Sequence, residues 1–381
     1  MNAQSVPRID RIARAQPHDD LRASASATAV AANIALLGTG TVGRAVLARL
    51  DAWTGTPLGA RLRLRYVANS RHRCVPHEHQ RDTAGVVWRE DTATTASLAH
   101  VLPALGTSDV RIVIDATASE AVADRHPTWL AQGVHVVTAC KIGQGTALSR
   151  WRAIRDAQRI GSARYGEVRY GDSATVGAGL PVLSTIRALR AGGDCIHAIA
   201  GSLSGSLAWL FDRYDGMRPF SRFVREARVA GYTEPDPRDD LSGEDMRRKL
   251  LILARATGAE LEQAAVAVAP LSTPELAEAT PTTVDAALST LDPLLRDAYA
   301  AARKRGEALR YIARWRNGEA RAGLEFLSPD DPLLGGRGTD NRIAIWSDRY
   351  RDRPLVIQGP GAGAEVTAAA LLDDALKIAC A

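Results

Sequence analysis

Asp245 and Lys249 place an acid and an amine four residues apart in a segment with the periodicity of an amphipathic helix. At about 100° per residue, both side chains project from an arc of the helix that is otherwise apolar. That arc is formed by Met246, Leu250, Ile252, Leu253, Ala254 and Ala256. Two charges in a buried arc should pair, and burial lowers the pKa of a lysine toward neutrality. The spacing predicts a lysine that donates and accepts a proton, although a purely structural ion pair would have the same spacing.

Residues typical of helix ends bound this segment. Ser242 is placed to cap the N-terminus, Asp245 follows at the capping-box position, and Gly258 can close the C-terminus. The face opposite the apolar arc is predicted to carry Glu244, Arg247, Arg248, Leu251 and Arg255. We therefore expect a helix whose apolar arc, with the two charged residues, packs against the rest of the protein.

The ten residues before this helix, GYTEPDPRDD from Gly231 to Asp240, concentrate carboxylates. The acids are Glu234, Asp236, Asp239 and Asp240. Two prolines stiffen the same stretch, so its carboxylates could hold the ammonium group of a substrate beside Lys249. A plain surface loop would have the same composition.

A glycine-rich turn nearer the start of the chain has the context of a dinucleotide-binding site. A short apolar strand, Ile34 to Leu37, leads into GTGTVG at residues 38–43, and a helical pattern continues to Leu50. In this motif the glycines permit a tight turn, the approach of a pyrophosphate to the backbone, and close packing of helix on strand. We therefore place Gly38, Gly40, Thr41, Val42 and Gly43 in a cofactor site. A glycine turn without a ligand is the alternative.

The second strand, Leu62 to Ala68, ends in Asn69-Ser70-Arg71. An NAD site usually has a carboxylate at this point to bind the ribose hydroxyls. This chain has Arg71 there, with Arg73 close by, and a guanidinium can meet a 2′-phosphate. The sequence favours NADP, with NAD as the alternative.

Further strands end in polar residues that should face the same crevice. Val110 to Ala116 is followed by Thr117 and Ser119, and Val134 to Thr138 by Lys141. Because loops at the carboxyl ends of parallel strands face the ligand, these three side chains are expected at the cofactor crevice. Lys141 is expected beside nicotinamide and substrate, and a solvated lysine without a role is the alternative. A second glycine loop, residues 359–363, makes Gly361 another candidate contact for the cofactor, and a plain turn is the alternative.

Composition limits the class of protein. The 381 residues have a formal net charge of +5, and the arginines are scattered among acids, which argues against nucleic acid as a partner. No apolar run reaches the length of a membrane span, so no membrane partner is expected. The four cysteines are widely spaced without a CxxC pattern, which favours reduced thiols and a cytoplasmic location.

The order of strands and helices predicts an α/β protein in four parts. Residues 1–31 are polar and rich in alanine and serine, as in a flexible extension. Residues 32–165 have the pattern of a Rossmann-like domain, and residues 166–330 that of an α+β domain with a mixed sheet. Residues 331–381 return to alternating strand and helix. The strands expected in the mixed sheet are Ile196–Leu203, Ala264–Val268, Leu309–Trp315 and Ala320–Leu327.

The run GYTEPDPRDDLSG followed by D-x-x-x-K, residues 231–249, resembles the signature of homoserine dehydrogenase. The resemblance extends from about Ile34 to the C-terminus and includes the turn TVGAGLP at Thr175–Pro181. It implies reversible hydride transfer between NAD(P)H and the C4 carbonyl of L-aspartate 4-semialdehyde, which gives L-homoserine. The kind of enzyme expected is monofunctional, without an aspartokinase or ACT domain.

The resemblance also assigns residues. Lys249 donates the proton, Asp245 orients it, and Lys141 matches the second functional lysine of the family. Glu234 is expected on the α-ammonium of the substrate, with Asp240 as a second substrate carboxylate. Residues 166–330 are expected to bind substrate and form a homodimer, while residues 331–381 fold back on the nucleotide-binding domain.

Two departures from the family pattern lie close to this site. Cys140 precedes Lys141 where asparagine is usual. The carbonyls of Val176, Ala178 and Leu180 match a monovalent-cation site for sodium or potassium. The usual acid three residues before the valine is Ser173 in this chain, and Asp172 stands one residue earlier.

Two other classes of function stay open. One is a catalytically weak or inactive NAD(P)-binding homologue, which the departures would favour. The other is a different amino-acid dehydrogenase, such as a deaminating one, for which an ammonia requirement would be diagnostic. GYTEPDPRDD argues against the second class.

Overall fold

Two mixed sheets of six strands each frame residues 31–74 and 98–381, the part of the chain that the computed structural model describes. In chain order the strands are β1 (Ala32–Leu37), β2 (Leu62–Ala68), β3 (Arg73–Cys74), β4 (Arg111–Asp115), β5 (His135–Thr138), β6 (Tyr170–Gly171), β7 (Ile196–Ser202), β8 (Val266–Val268), β9 (Ala308–Arg316), β10 (Glu319–Leu327), β11 (Asp340–Ser347) and β12 (Leu355–Pro360). The mixed α/β fold expected from the sequence is confirmed.

Helices cover both faces of the first sheet and one face of the second. They are α1 (Thr41–Ala52), α2 (Val101–Leu105), α3 (Glu120–Ala123), α4 (His126–Ala131), α5 (Leu148–Tyr165), α6 (Val182–Ala191), α7 (Gly205–Arg213), α8 (Phe220–Val229), α9 (Pro237–Leu241), α10 (Glu244–Ala256), α11 (Pro274–Glu278), α12 (Val284–Ala287), α13 (Leu291–Arg305) and α14 (Ala364–Ala379). Short 3-10 turns lie at Gly59–Arg61, Leu98–His100, Ser173–Thr175, Gln263–Ala265 and Leu288–Thr290. No helix in the described ranges is both long and apolar enough to cross a membrane.

The first sheet has the order β3-β2-β1-β4-β5-β6 and is parallel except for β3. All six residues of β1 are buried because helices pack on both of its faces. Ile34 and Leu36 face α1 and α14, whereas Ala35 and Leu37 face α2, α4 and α5. The carboxyl ends of β1, β4 and β5 therefore meet at one edge, where a parallel α/β sheet binds its ligand.

The second sheet has the order β12-β11-β7-β9-β10-β8 and is largely antiparallel. One face packs on α6, α7, α8, α10 and α13, which together form a large apolar core. The other face has a small cluster that includes Ala200, Ile312 and Ala344, with Leu333 from the preceding loop packed onto it. This second face of the sheet is therefore covered less than the face that carries the helices.

The last fifty residues contribute two strands to the second sheet and one helix to the first. Strands β11 and β12 belong to the second sheet, and α14 packs on α1 beside the first sheet. The first sheet also extends beyond residue 165, because β6 follows at Tyr170–Gly171. The extension expected at residues 1–31 lies outside the described residues, apart from residue 31.

Helix α10 agrees with the periodicity of the sequence but differs at its N-terminus. The N-cap of α10 is Gly243, with φ +73°, and not Ser242 as predicted. The Ser242 hydroxyl donates to Asp239 O at 2.8 Å and also accepts from the amide of Glu244, the first residue of α10, at 3.2 Å. The reason is that α9 ends at Leu241, so Ser242 completes that helix. Gly258 lies just past the end of α10 with φ +96°, as predicted.

Two residues expected on the exposed face of α10, Leu251 and Arg255, are buried. The loop after β5 packs on that side of the helix. A Cβ placed on Gly145 would lie 3.0 Å from Arg248 O, and the guanidinium of Arg255 donates to Gln144 O at 2.6 Å. Helix α10 is therefore enclosed between the second sheet and a loop of the first.

Candidate active site

Lys249 lies at the floor of the candidate active site, where α10 passes the carboxyl end of β7. Its Nζ donates to Leu203 O at 2.7 Å and is 2.7 Å from Asp245 Oδ2. The residue is 8% exposed, so its ammonium has exchanged water for two protein oxygens. The predicted pairing of Asp245 with Lys249 is present in the structure.

Lys141 approaches the same carboxylate from the first sheet. Its Nζ lies 3.4 Å from Asp245 Oδ1, so Asp245 is shared between the two lysines. The Asp245 side chain is 46% exposed, in contrast to the buried position that the apolar arc predicted. It faces the gap between the two sheets rather than the core.

The three charges shift each other's protonation. Burial lowers the pKa of Lys249; the negative charge of Asp245 opposes this shift and the positive charge of Lys141 adds to it. Partial burial works against ionisation of Asp245, but the two ammonium groups outweigh it and hold the pKa of this carboxyl well below its ordinary value. The arrangement provides a stable carboxylate beside a lysine that loses its proton more readily than usual.

The acidic segment before α10 is organised by Asp240. Its Oδ1 accepts from Ser206 Oγ at 2.6 Å, and its Oδ2 accepts from the backbone amide of Glu234 at 2.8 Å. Burial raises the pKa of Asp240, while those hydrogen bonds oppose the rise. The Glu234 residue itself is exposed, so its carboxylate can contact a ligand. Its backbone is fixed by the hydrogen bond to Asp240.

Two serines in this network were not recognised from the sequence. Ser204 caps α7, and its hydroxyl also lies 2.8 Å from the hydroxyl of Ser206. Their position could have identified them. Ser204-Gly205-Ser206 comes soon after the end of strand β7, just as the predicted ligand-binding loops come after the strands of the first sheet. The carbonyl of Leu203, which accepts from Lys249, could not be identified from the sequence, because every residue has a backbone carbonyl.

The glycine-rich turn after β1 fits a dinucleotide. Gly38 has φ +96°, and a Cβ there would lie 2.7 Å from Ala116 O. A Cβ on Gly43 would lie 1.9 Å from Gly38 O, so this position requires glycine for the helix to approach the turn. A Cβ on Gly40 would meet no atom within 4 Å, so that face of the turn is open. Thr41 and Val42 start α1, whose N-terminus has no side-chain cap and can receive a phosphate.

Arg71 lies close to this turn through Asn69. The amide of Asn69 donates to Thr39 Oγ1 at 2.8 Å, while its oxygen accepts from the backbone amides of Arg71 and His72 at 2.8 and 2.7 Å. Asn69 therefore fixes the backbone of Arg71 beside the nucleotide loop. The Arg71 side chain is exposed, as a residue that binds a phosphate must be.

Thr117 and Ser119 lie at the carboxyl end of β4, as predicted, with both hydroxyls bonded to protein. The Thr117 hydroxyl donates to Asp115 Oδ1 at 2.6 Å, and the Ser119 hydroxyl caps α3. Gly361 is buried, and a Cβ there would overlap the Asn341 side chain at 1.4 Å. The requirement for glycine at position 361 thus comes from packing on Asn341.

The turn expected to bind a monovalent cation has unusual backbone geometry. Gly177 has φ +76° and Ala178 φ +50°, and Leu180 O accepts from the amide of Val182 at 2.8 Å. Ser173, at the position of the usual acid, bonds to Asp374 through both its amide and its hydroxyl, at 3.0 and 2.9 Å. It therefore cannot replace that acid.

Asp172 supplies the negative charge near this turn. Its Oδ2 accepts from Arg187 at 2.6 Å and from Gln144 at 2.7 Å, whereas its Oδ1 is buried and has no hydrogen-bond partner among the described residues. A buried carboxylate oxygen without a partner fits a cation ligand. Elsewhere in the described ranges, no group of three or more His, Cys, Asp or Glu side chains could hold a metal.

Comparison with known proteins gives one consistent family. The model for homoserine dehydrogenase matches residues 181–376, and the model for its NAD-binding domain matches residues 38–165. The homoserine dehydrogenase of Emericella nidulans is 35% identical over 280 residues, which cover 70% of this chain and 75% of that protein. A crystal structure of a putative homoserine dehydrogenase from Archaeoglobus fulgidus is 25% identical, with a TM-score of 0.69 over 91% of this chain and 98% of that one.

Longer relatives contain the same region. The chloroplastic bifunctional aspartokinase/homoserine dehydrogenase 1 of Zea mays is 37% identical over 363 residues, or 91% of this chain. The chain spans only 38% of the length of that relative. The region shared with this larger protein includes most of the residues described above.

Proposed function

The chain belongs to the homoserine dehydrogenase family, and on this basis we propose that it interconverts L-aspartate 4-semialdehyde and L-homoserine with NAD(P)H as the reductant. The observation that carries the proposal is the buried Lys249, which shares the carboxylate of Asp245 with Lys141 between the two sheets. A proton donor at this position supports the proposed reduction of a carbonyl group.

Lys249 performs the proton transfer in this proposal. A bound nicotinamide supplies the hydride. In the direction of reduction, the Lys249 ammonium donates a proton to the oxygen of the C4 carbonyl, and in oxidation the neutral amine accepts it from the hydroxyl. Asp245 holds the amine in place, and Lys141 contributes a second positive charge at the developing alkoxide.

Substrate recognition is assigned to the acidic segment. Glu234 contacts the α-ammonium group, because its carboxylate is exposed and its backbone amide is fixed at 2.8 Å from Asp240 Oδ2. Asp240 belongs to the same site and supports Glu234. The two oxygens of Asp240 are occupied by Ser206 and Glu234, which favours this supporting function.

For the cofactor, NADP is proposed over NAD. Gly38, Gly40, Thr41, Val42 and Gly43 hold the pyrophosphate, Thr117, Ser119 and Lys141 face the nicotinamide end, and Gly361 is proposed as a further contact of the cofactor. Arg71 meets the 2′-phosphate, an assignment supported by its exposed side chain and its Asn69-fixed backbone. The open face of Gly40 supports close approach of the phosphates.

A sodium or potassium ion is proposed at the turn of Val176, Ala178 and Leu180. The unpartnered Oδ1 of Asp172 supports it. Its test is a thermal melting temperature in sodium, potassium or choline chloride at equal ionic strength. A higher melting temperature in one of the metal salts supports the site, and equal values in all three reject it.

The wider assignment is a homodimer of threonine and methionine biosynthesis in the cytoplasm. Neither a nucleic acid nor a membrane is proposed as a partner. Residues 32–165 bind the nucleotide, residues 166–330 bind the substrate and form the dimer, and α14 of residues 331–381 supports the nucleotide-binding sheet. The packing of α14 on α1 favours this division.

The test is oxidation of L-homoserine by the purified protein, followed by the absorbance of reduced nicotinamide with NADP and NAD in parallel. We expect turnover, faster with NADP, and loss of that preference in Arg71→Ala. Cofactor binding without turnover would instead favour the inactive homologue. A requirement for ammonia in the reverse assay would favour a deaminating dehydrogenase.

A further inference from the structure

A buried carboxylate beneath the site ties together two of its loops. Asp115, at the end of β4, is fully buried. Its Oδ1 accepts from the amide and hydroxyl of Thr117, at 2.9 and 2.6 Å. Its Oδ2 accepts from the Thr138 hydroxyl at 3.1 Å and lies 3.1 Å from His126 Nε2. Four partners replace the water that such a carboxylate would lose, so its position is fixed.

His126 and Tyr170 support this carboxylate from below. His126 is fully buried, and its Nδ1 lies 3.0 Å from the Tyr170 hydroxyl. A phenol carries its proton at neutral pH, so the Tyr170 hydroxyl can donate. An imidazole protonated at Nε2 satisfies both contacts: Tyr170 donates to Nδ1, and Nε2 donates to Asp115.

The same network contacts the loop that carries Lys141 at two points. On one side of Lys141, the amide of Cys140 donates to Thr138 Oγ1 at 2.9 Å. On the other side, the backbone of Gly143 lies on Tyr170, since a Cβ there would be 2.7 Å from the phenol oxygen. Lys141 is therefore fixed through the backbone on both sides of it.

Backbone support matters more for Lys141 than for Lys249. The Lys141 side chain is 31% exposed, with Asp245 at 3.4 Å, whereas Lys249 is buried between two close oxygens. Packing thus fixes Lys249, and the position of Lys141 depends on its loop. A small displacement of reacting groups costs rate rather than folding.

We propose that Asp115 and Thr138 are positioning residues, which set Lys141 against Asp245 through the backbone of residues 139–143. The part of this inference that concerns rate rests on the proposed function. The structural part, that the Thr138 hydroxyl holds the Cys140 loop, does not require turnover.

The test compares Thr138→Val, which removes the hydroxyl at nearly constant shape, with Thr138→Ser, which keeps it. Thr273→Val is the matched control, because that hydroxyl caps α11 and its hydrogen bonds, to Leu276 and Thr290, lie outside the Asp115 network. One readout is alkylation of Cys140 followed by peptide mass spectrometry. Cys140 is 2% exposed, and burial raises the pKa of its thiol to about 11, so labelling is slow in the native loop. The other readout is kcat for the oxidation of L-homoserine, together with the KM for NADP.

We expect Thr138→Val to label at Cys140 about fivefold faster or more, because its loop loses a buried hydrogen bond. We also expect kcat to fall about 10- to 100-fold with little change in the KM for NADP. Thr138→Ser should restore both values, and Thr273→Val should leave both unchanged. Wild-type labelling of Cys140 in Thr138→Val overturns the inference whether or not the protein turns over. Faster labelling with wild-type kcat overturns its catalytic part, and absence of turnover in wild type counts against the proposed function alone.

Discussion

The two lysines of the site have different environments, and this difference assigns their functions. Lys249 has lost its water to one carboxylate and one carbonyl, so burial lowers its pKa. Lys141 keeps a third of its side-chain surface in solvent and approaches the other oxygen of Asp245. In the proposed function, the transfer of the proton is therefore assigned to Lys249.

Replacement of Lys249 should affect the transition state. We expect Lys249→Ala to lower kcat and kcat/KM together by about 10²- to 10⁴-fold, the usual contribution of a positioned acid–base group. Steady-state kinetics of homoserine oxidation measure both values. Lys304→Ala, at an exposed lysine in the last turn of α13, is the control and should have wild-type rates. Wild-type turnover in Lys249→Ala would remove the proton assignment.

Replacement of the two charged neighbours of Lys249 should shift the pH dependence of kcat in opposite directions. Oxidation requires neutral Lys249, so kcat rises with pH through the pKa of this lysine. Asp245→Asn removes the charge that raises this pKa, and the midpoint should move lower. Lys141→Met removes a charge that lowers it, and the midpoint should move higher. The profile of kcat between pH 6 and 10 distinguishes the two, and shifts in the same direction would contradict the assignment.

Glu234 should affect binding of the substrate alone. Loss of a charged hydrogen bond to the ammonium group should raise the KM for homoserine in Glu234→Gln by about 10- to 100-fold. The Kd for NADPH, measured by nicotinamide fluorescence, should not change. Asp239→Asn, an exposed acid in the same segment, is the matched control and should keep the wild-type KM. A weaker Kd for NADPH in Glu234→Gln would contradict the placement.

At the scale of elements, the local spacing of residues predicted α10 and its ion pair. Local spacing could not predict contacts between segments that are distant in the sequence. Asp245 and Lys249 are neighbours because a helix repeats every 3.6 residues. The approach of Lys141 to Asp245 joins residues 104 positions apart and requires the loop after β5 to pack on α10. The same packing buries Arg255, which periodicity had placed in solvent. The glycine turn after β1 was predictable, because its first glycine stands where the backbone has a positive φ and its last where a side chain would not fit.

The pairing of β5 with the edge strand β6 contains a group that should make stability depend on pH. His135 accepts from the amide of Arg169 at 3.0 Å, and burial, with the charge of Arg169, lowers its pKa from 6.5 to about 4. Between these values the unfolded chain binds a proton that the folded chain does not. The free energy of unfolding should therefore decrease as pH falls from 6.5 to 4, by up to about 3 kcal/mol from this residue.

His135→Asn keeps an acceptor for the Arg169 amide and cannot gain charge. Urea denaturation at pH 7.0, 5.5 and 4.5 should show a smaller loss of stability for this variant than for wild type. His100→Asn, at an exposed histidine, should follow wild type. An equal loss in His135→Asn and wild type would mean that other groups carry the acid sensitivity.

At the scale of the whole molecule, the two faces of the second sheet are covered unequally. Helices bury one face in the large core. The other face has the half-buried Trp346 and Val356, and next to them the ion pair of Arg314 and Glu325 at 2.8 Å. A sheet face that combines half-buried aromatic and aliphatic side chains with paired charges suits a second copy of the same chain. We therefore place the proposed homodimer on this face, which combines β7, β9 and β10 of residues 166–330 with β11 and β12 of residues 331–381.

A charge on that face should therefore weaken the dimer. We expect wild type at micromolar concentration to have twice the mass of one chain by light scattering coupled to size exclusion. Trp346→Glu should shift this mass toward that of a single chain, because the dimer would bury an unpaired carboxylate. Val229→Glu introduces the same charge at a residue 89% exposed on α8, outside the face, and should remain dimeric. A monomeric wild type would refute the dimer, and a dimeric Trp346→Glu with native melting temperature would move its interface elsewhere.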